Sequence, residues 1–326
     1  MFWRIHGTLA AAVLGGVLAA GPALAQQPAY PSKPITLVVP YGPGGPADTA
    51  ARLVADIAGR SLGQPVVIEN RPGAATKVAA AQFVRAPKDG YTLLECTSST
   101  FLTAALARNP GFGVPDFLPV SLIASNPFVL SVTAELPVRS APELVAYAKA
   151  HPGKLNLGSL GAGSVEEIMG LWFAHSTGIS IAPIAYKGGL SAAIQDLIAG
   201  RVHLMFDAIG NSTQYYRAGR LRILGVATAE RVDSLPEVPT LAEQGLPFVN
   251  GSWLGICAPA GVPAPVAERI SREIVAAVRS DEYQSKIRGL GFLPVSSDSS
   301  ASFLKFTSDY LKDWAEMTRT LGITLE

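Results

Sequence analysis

The chain has 326 residues, 48% of them hydrophobic and only 16% charged, with 26 Lys plus Arg against 25 Asp plus Glu and a formal charge of +1. That balance excludes a basic nucleic-acid binder and a surface held to anionic lipid by charge. The length suffices for two domains with sizeable cores, and two cysteines are too few for a disulfide scaffold.

The beginning of the chain sets its compartment. Arg4 is the only charged residue before Ala25, Leu9 to Ala20 is apolar, and Ala23-Leu24-Ala25 is a small-x-small cleavage site ahead of Gln26. The pattern reads as a secretory signal peptide over residues 1–25. Its core is short for a membrane anchor and is broken by Gly21-Pro22, and no later stretch reaches the roughly 18 uninterrupted apolar residues of a spanning helix. Removal of Arg4 with the leader brings the formal charge to zero. A soluble protein outside the cytoplasm, beginning at Gln26, is expected.

The next segment organises the rest. Ile35 to Val39 is a continuous apolar, β-branched run, Tyr41 to Pro46 a Gly/Pro turn, and Ala47 to Ile57 repeats apolar residues at helical spacing. This predicts strand, tight loop and helix, with Gly45 as N-cap, Pro46 where a missing N–H costs nothing, and Asp48 complementing the helix dipole. Free N–H groups at Gly42, Gly44, Gly45 and Ala47 would leave the loop a receptor for a small anion. It is neither a Walker loop nor a dinucleotide fingerprint, since no Gly-Lys-Ser/Thr closes it and G-x-G-x-x-G is absent. The same turn also serves as a plain connection, so the motif alone assigns nothing.

Val66 to Glu69 predicts a second strand, Lys77 to Arg85 a helix, and Tyr91 to Leu94 a third strand ending in the hydroxyl cluster Thr97-Ser98-Ser99-Thr100. The order β-α-β-α-β argues for a parallel sheet with helices on both faces, with ligand at the carboxyl ends of the strands. Val120 to Val132 is extended and apolar, interrupted at Ser125-Asn126-Pro127, and is expected to cross between domains. After a helix over Ala141 to Ala150 the unit repeats: strand Leu155 to Ser159, glycine loop Gly161 to Ser164, helix Val165 to Ser176. Ile184 to Tyr186 leads through Lys187-Gly188-Gly189 into a helix over Leu190 to Ala199, and strands follow at Val202 to Phe206, ending at Asp207, and at Leu221 to Ala227. Ser164 with Glu167 has capping-box spacing. Phe248 to Ala258 suits a return strand. Helices are predicted over Val266 to Arg279, Asp281 to Leu290 and Phe303 to Leu321, the last with a core-facing stripe of Phe303, Phe306, Tyr310, Trp314 and Met317.

Many linked motifs then resemble one family. Tyr41-Gly42-Pro43-Gly44-Gly45 with Asp48 and Arg52, Glu69-Asn70-Arg71-Pro72-Gly73-Ala74, Asp89-Gly90-Tyr91-Thr92-Leu93, Tyr186-Lys187-Gly188-Gly189, Met205-Phe206-Asp207 and Pro236-Glu237-Val238-Pro239-Thr240 occur in the order seen in solute-binding receptors of the tripartite tricarboxylate transporters, the Bug type. The resemblance covers nearly all of the mature chain. It implies an α/β fold of the type II periplasmic, Venus-flytrap kind, each domain a mostly parallel sheet flanked by helices. Residues 26–123 and 249–326 would form one domain and 124–248 the other, in a monomer that closes on a hinge. It implies a periplasmic receptor for a small carboxylic acid or amino acid, serving the membrane subunits of such a transporter, with no cofactor, no metal and no catalytic residue. Tyr41, Gly44, Gly45 and Asp48, with Ser98 and Thr100, would line one jaw, and Gly163, Ser164, Lys187, Gly188, Gly189 and Asp207 the other. A ligand sensor for a signalling partner fits the same fold. An α/β enzyme acting on a small anion would need Asp48, Asp207 or Glu166 as its acid or base.

Plainer roles stand beside these. Lys187 suits a turn anchor, Asp207 a cap after its strand and Tyr186 a packing residue, while His151, His175 and His203 lack metal-ligand spacing. Type II topology would bring the strands of Cys96 and Cys257 together. Because neighbouring strand positions rarely offer relaxed disulfide geometry, two free, buried thiols are expected. The chain also departs from its relatives at Ala75-Thr76-Lys77 and at Val165-Glu166-Glu167, where the family usually has glycines with an Asn, and Pro with His. Glu166 is then a surplus charge that would repel a second ligand carboxylate if it faces the cleft.

Overall fold

The computed structural model describes Met1 and residues 30–73, 76–161, 164–186, 190–246, 248 and 251–323. The signal peptide, Gly163 and the whole of Lys187-Gly188-Gly189 therefore lie outside the described residues. The first half opens as its hydrophobic pattern predicts. Strand β1 (Ile35–Val39) is almost wholly buried, and helix α1 (Pro46–Leu62) buries Ala50, Ala51, Val54, Ala55, Ala58 and Leu62, the three-and-four spacing of a single face. Gly63 ends the helix in the left-handed region at φ 72°, its N–H bonded to the Gly59 carbonyl. Strands β2 (Val66–Asn70) and β3 (Thr92–Thr97) pair parallel on either side of β1, with α2 (Lys77–Phe83) crossing between them.

Two features of this half differ from expectation. The hydroxyl cluster after β3 starts a helix that the sequence did not announce, α3 (Ser98–Leu106): Thr97 Oγ1 accepts the Thr100 N–H at 3.2 Å, while Thr100 Oγ1 accepts the Thr97 N–H. The extended segment that follows is one continuous strand, β4 (Phe117–Thr133), of 17 residues. Its interruption at Asn126-Pro127 is a change of partner: up to Pro127 it pairs with the return strand, and from Phe128 with strands of the second half. A proline inside a strand is tolerated at such a point, where one ladder ends and another begins.

The second half repeats the plan. Helix α4 (Ala141–Ala150) precedes β5 (Leu155–Ser159), α5 (Val165–Thr177), β6 (Ile181–Ala185), α6 (Leu190–Ile198), β7 (Leu204–Ala208), α7 (Ile209–Arg217) and β8 (Leu221–Val226). Helix α7 was not legible in the sequence. The chain then returns through β9 (Gly251–Pro259) to α8 (Ala264–Arg279), α9 (Asp281–Gly289), the short β10 (Leu293–Pro294) and α10 (Ser300–Leu321). The strands run β2-β1-β3-β9-β4-β7-β5-β6, with β8 and β10 also on β4, so one curled sheet carries both halves and β4 joins them.

Each half has an apolar core on both faces of its sheet. Helix α10 ties them together, burying Phe303 in the first and Trp314 and Met317 in the second. Trp253 on β9 meets Phe303, Phe306 and Tyr310 with ring centroids 5.4 to 6.0 Å apart, so the aromatic stripe packs as predicted except that Phe306 stays 39% exposed.

The cysteines correct the expectation of free thiols. Cys96 and Cys257 form a disulfide with Cα atoms 5.8 Å apart. The predicted adjacency of their strands holds, but Cys96 lies opposite Gly255 and Cys257 opposite Leu94, so the two are diagonal rather than directly opposed. The twist of the antiparallel pair brings one such diagonal within bridging distance, which the argument from facing positions overlooked. Among the described residues no helix is long and apolar enough to cross a membrane.

Candidate functional site

The loop between β1 and α1 is shaped from below by Asp48. This carboxylate is 1% exposed; its Oδ2 accepts the Gly44 N–H at 2.8 Å and Arg52 Nε at 2.9 Å, and its Oδ1 accepts Asn70 Nδ2 at 2.7 Å and Arg52 Nη2 at 3.0 Å. Asn70 Nδ2 also donates to the Tyr41 carbonyl at 3.0 Å, tying the other end of the loop to β2. Burial pushes Asp48 up, but the hydrogen bonds from Arg52, Asn70 and Gly44, with the Arg52 charge, outweigh it and hold the pKa at about 2. Two expectations change as a result. The Gly44 N–H is engaged internally and is not free for an anion, and Asp48 holds the loop in place. Gly44 itself sits at φ 86°, where a side chain would strain the backbone. Gly45 caps α1 in extended conformation with no side chain on the helix N-terminus, and Cβ atoms at Gly42 or Gly45 would meet nothing within 4 Å.

At the end of β3 the hydroxyls turn inward. Ser98 and Thr100 are buried, and Thr100 Oγ1 donates to Thr76 Oγ1 at 3.1 Å. Thr76, the N-cap of α2, adopts φ 77°, a conformation that costs a β-branched residue on the order of 1 kcal/mol or more. Tyr41 is half-buried, and burial pushes its hydroxyl up despite a hydrogen bond with Thr97.

The sequence reading missed Glu95. It is fully buried on the face of β3 that it shares with Leu93, and neither carboxyl oxygen has a protein partner. Burial, reinforced by the charge of Asp48, pushes its pKa well above the ordinary range. An acidic residue inside the apolar strand Thr92–Thr97 was the available signal.

In the second half Ser164 caps α5, its Oγ accepting the Glu167 N–H at 3.3 Å. The predicted box does not close, because the Glu167 carboxylate turns away to accept Ser159 Oγ at 2.7 Å. Asp207 is fully buried; Oδ2 accepts Ser212 Oγ at 2.6 Å and Oδ1 has no protein partner. Burial, opposed by Ser212 and aided by the charge of Glu166, pushes it up to about 8. The Tyr186 hydroxyl donates to Asp196 at 2.7 Å, the packing role of its two readings. Among the described residues no group of His, Cys, Asp and Glu is placed to hold a metal ion. His151 rests on Tyr147, His175 on Trp172, and His203 Nδ1 accepts the Asn156 N–H at 3.0 Å.

A cleft of about 740 Å³ brings the two halves face to face, with Pro46 at the start of α1, Asn126 at the partner change of β4 and Ala208 to Asn211 at the start of α7 among its lining. A second cavity, of about 820 Å³, lies between α8 and the Leu118 end of β4 and has none of the strand-end loops in its lining. The rest of the first cleft's lining comes from α7, Asp233, Ser234 and residues 288–293, and none of Tyr41, Gly44, Gly45, Asp48, Ser98, Thr100, Ser164 and Asp207 lines it.

Comparison with known proteins gives the same direction. A UPF0065 protein of Pseudomonas sp. strain P51 is 38% identical over 268 residues, 81% of this chain and 79% of its own. Protein BugT of Bordetella pertussis is 33% identical over 303 residues, 91% of this chain and 92% of its own. Among solved structures, R. palustris Rpa4515 with adipate is 35% identical, covers 90% of this chain and 99% of its own, and superposes with a TM-score of 0.74. Residues 50–323 match the model of the tripartite tricarboxylate transporter family receptor, and the chain belongs to that family of periplasmic solute-binding proteins.

Proposed function

We propose that this protein is an extracytoplasmic receptor that closes two domains over a small carboxylate-bearing metabolite and delivers it to the membrane subunits of a tripartite tricarboxylate-type transporter. In this reading the leader is removed after Ala25, residues 26–123 and 249–326 form one domain, 124–248 form the other, and the monomer hinges where β4 and β9 run side by side through Asn126 and Ser252. The carrying observation is the start of α1. Its N-terminus lacks a side-chain cap at Gly45 and its loop is tied down by Asp48, Arg52 and Asn70, so it offers pre-set N–H groups to one carboxylate. The proposed lining keeps Tyr41, Gly44 and Gly45 in the first jaw and Gly163, Ser164, Lys187, Gly188, Gly189 and Asp207 in the second. Asp48, Ser98 and Thr100 act there as supports, since their polar atoms are engaged within the protein. The adipate in R. palustris Rpa4515 supports a carboxylic acid as ligand.

The protein acts by binding, without turnover. Of the acids a catalytic reading would draw on, Asp48 is tied into the α1 loop by Gly44, Arg52 and Asn70. Native mass spectrometry of protein purified from the periplasm identifies the retained ligand, and uptake of that compound by a deletion strain tests delivery. Normal uptake in the deletion strain, or conversion of the ligand by the pure protein, refutes the proposal.

A further inference from the structure

The turn between α9 and β10 belongs to the first half yet reaches the second. Ile287 of α9 and Phe292 are buried in the first core, and β10 pairs with Ala124 and Ser125 of β4, just before that strand changes partner. Leu293, tied by its backbone to Ser125, packs on the second half's core that holds Val129 and Ile209. Gly291, at φ 83°, stands so close to Gly210 in the first turn of α7 that a Cβ on it would lie 3.2 Å from the Gly210 Cα. Arg288 Nη1 donates to Asp233 Oδ2 at 3.1 Å, and Arg217 Nη2 braces the Asp233 segment from its own half by donating to the Ser234 carbonyl at 3.1 Å. Together the turn and α7 wall the 740 Å³ cleft. None of these contacts is a chain connection, so each can part while β4 and β9 stay intact.

We infer that residues 288–293 are a latch, a conformational device that holds the two halves at one resting angle and so sets the width of the cleft before any ligand arrives. The inference rests on the two-domain reading given above. With Phe292 fixed in one core and Leu293 seated on the other, rotation of the halves must pull Leu293 off its seat. The apolar seat and the glycine fit carry the latch. The Arg288–Asp233 pair adds less, because its side chains are 44% and 85% exposed and solvent screens them.

Pulsed electron resonance between nitroxides at Ala146→Cys on α4 and Glu268→Cys on α8, both exposed, reads the angle in the mature chain freed of small molecules by dialysis from urea with the disulfide intact. Wild type is expected to show one dominant, narrow distance distribution. Leu293→Ala, and Gly210→Leu as a wedge against Gly291, should each shift the ratio of populations at least about fivefold towards a second distance. Gly210→Ala, whose Cβ would make an ordinary 3.6 Å contact with the Gly291 Cα, should match wild type. In the Leu293→Ala background, where both populations are visible, Arg288→Gln should add a further shift of up to about fivefold. A distribution already broad in wild type and unmoved by Leu293→Ala and Gly210→Leu overturns the latch and leaves halves that hinge. One narrow, identical distribution in every protein makes the halves a single rigid body, and overturns the two-domain reading with the inference.

Discussion

Replacing Asp48 by Asn tests whether the α1 loop is held by charge. The substitution keeps the shape and removes the charge that Arg52 and the Gly44 N–H address. The carboxyl is lowered from 3.8 to about 2 in the folded state, and each unit is worth about 1.4 kcal/mol, so the charged form contributes about 2 kcal/mol of stability at neutral pH. The group is 1% exposed, so little of this is lost to solvent screening. The sign follows from the direction of the shift. Because the folded pKa is depressed, the contribution is fully present above about pH 4 and disappears as pH falls through about 2. Urea unfolding of wild type and Asp48→Asn should therefore show a gap of about 2 kcal/mol at pH 7 that shrinks steadily between pH 4 and pH 2. Carboxylates elsewhere titrate in both proteins and cancel in the difference. A gap that is absent at pH 7, or equally large at pH 2.5, would refute the reasoning and leave Asp48 as a packing residue.

Three further outcomes are expected. Alkylation in denaturant without reductant should label no thiol, and replacing Cys96 and Cys257 together by Ala should cost about 2–5 kcal/mol in urea unfolding, since the bridge closes a separation of 161 residues; two labelled thiols would contradict the bond. Asp207 has a raised folded pKa of about 8, so wild type loses stability as pH rises from about 4 to about 8, and Asp207→Asn should gain on it by about 1.4 kcal/mol per pH unit over that window; parallel stability curves would exclude a buried neutral acid there. Gly255→Ala places a Cβ 2.4 Å from the Phe303 ring and 3.1 Å from the Ser121 carbonyl, and should cost about 1–3 kcal/mol, read as a lowered thermal midpoint; an unchanged midpoint would mean α10 packs more loosely than described.

The strand-loop-helix units were legible because hydrophobic period and glycine turns are local signals, and α4 and β5 fall at the predicted residues. What escaped depends on partners far apart in sequence. Helix α7 follows β7 without a turn, and Ile209-Gly210-Asn211 reads as loop; it forms because Ile209 and Ser212 are covered by the sheet. Asp48 reads as a dipole complement until β2 lies beside β1 and delivers Asn70 to it. The disulfide depends on a register that neither strand specifies alone. The strand, Gly/Pro loop and helix around Tyr41 to Pro46 were legible, but that the Gly44 N–H is engaged by Asp48 was not.

The duplicated plan of the two halves shows where this chain has diversified. Thr97 and Ala208 are both N-caps of the helix after the third strand of their half, so the residues before them, Cys96 and Asp207, hold equivalent positions. The first half uses that position for a covalent tie to the return strand β9. The second half uses it for a buried acid hydrogen-bonded to Ser212, which in turn accepts from Ser131 on β4. One residue earlier the contrast reverses: Phe206 fills the second core with an aromatic ring, while Glu95 places a carboxyl with no partner on either oxygen in the first. Among the described residues Glu95 and Asp207 are the two carboxyls buried completely, one in each half, and the raised pKa of each is driven first by burial.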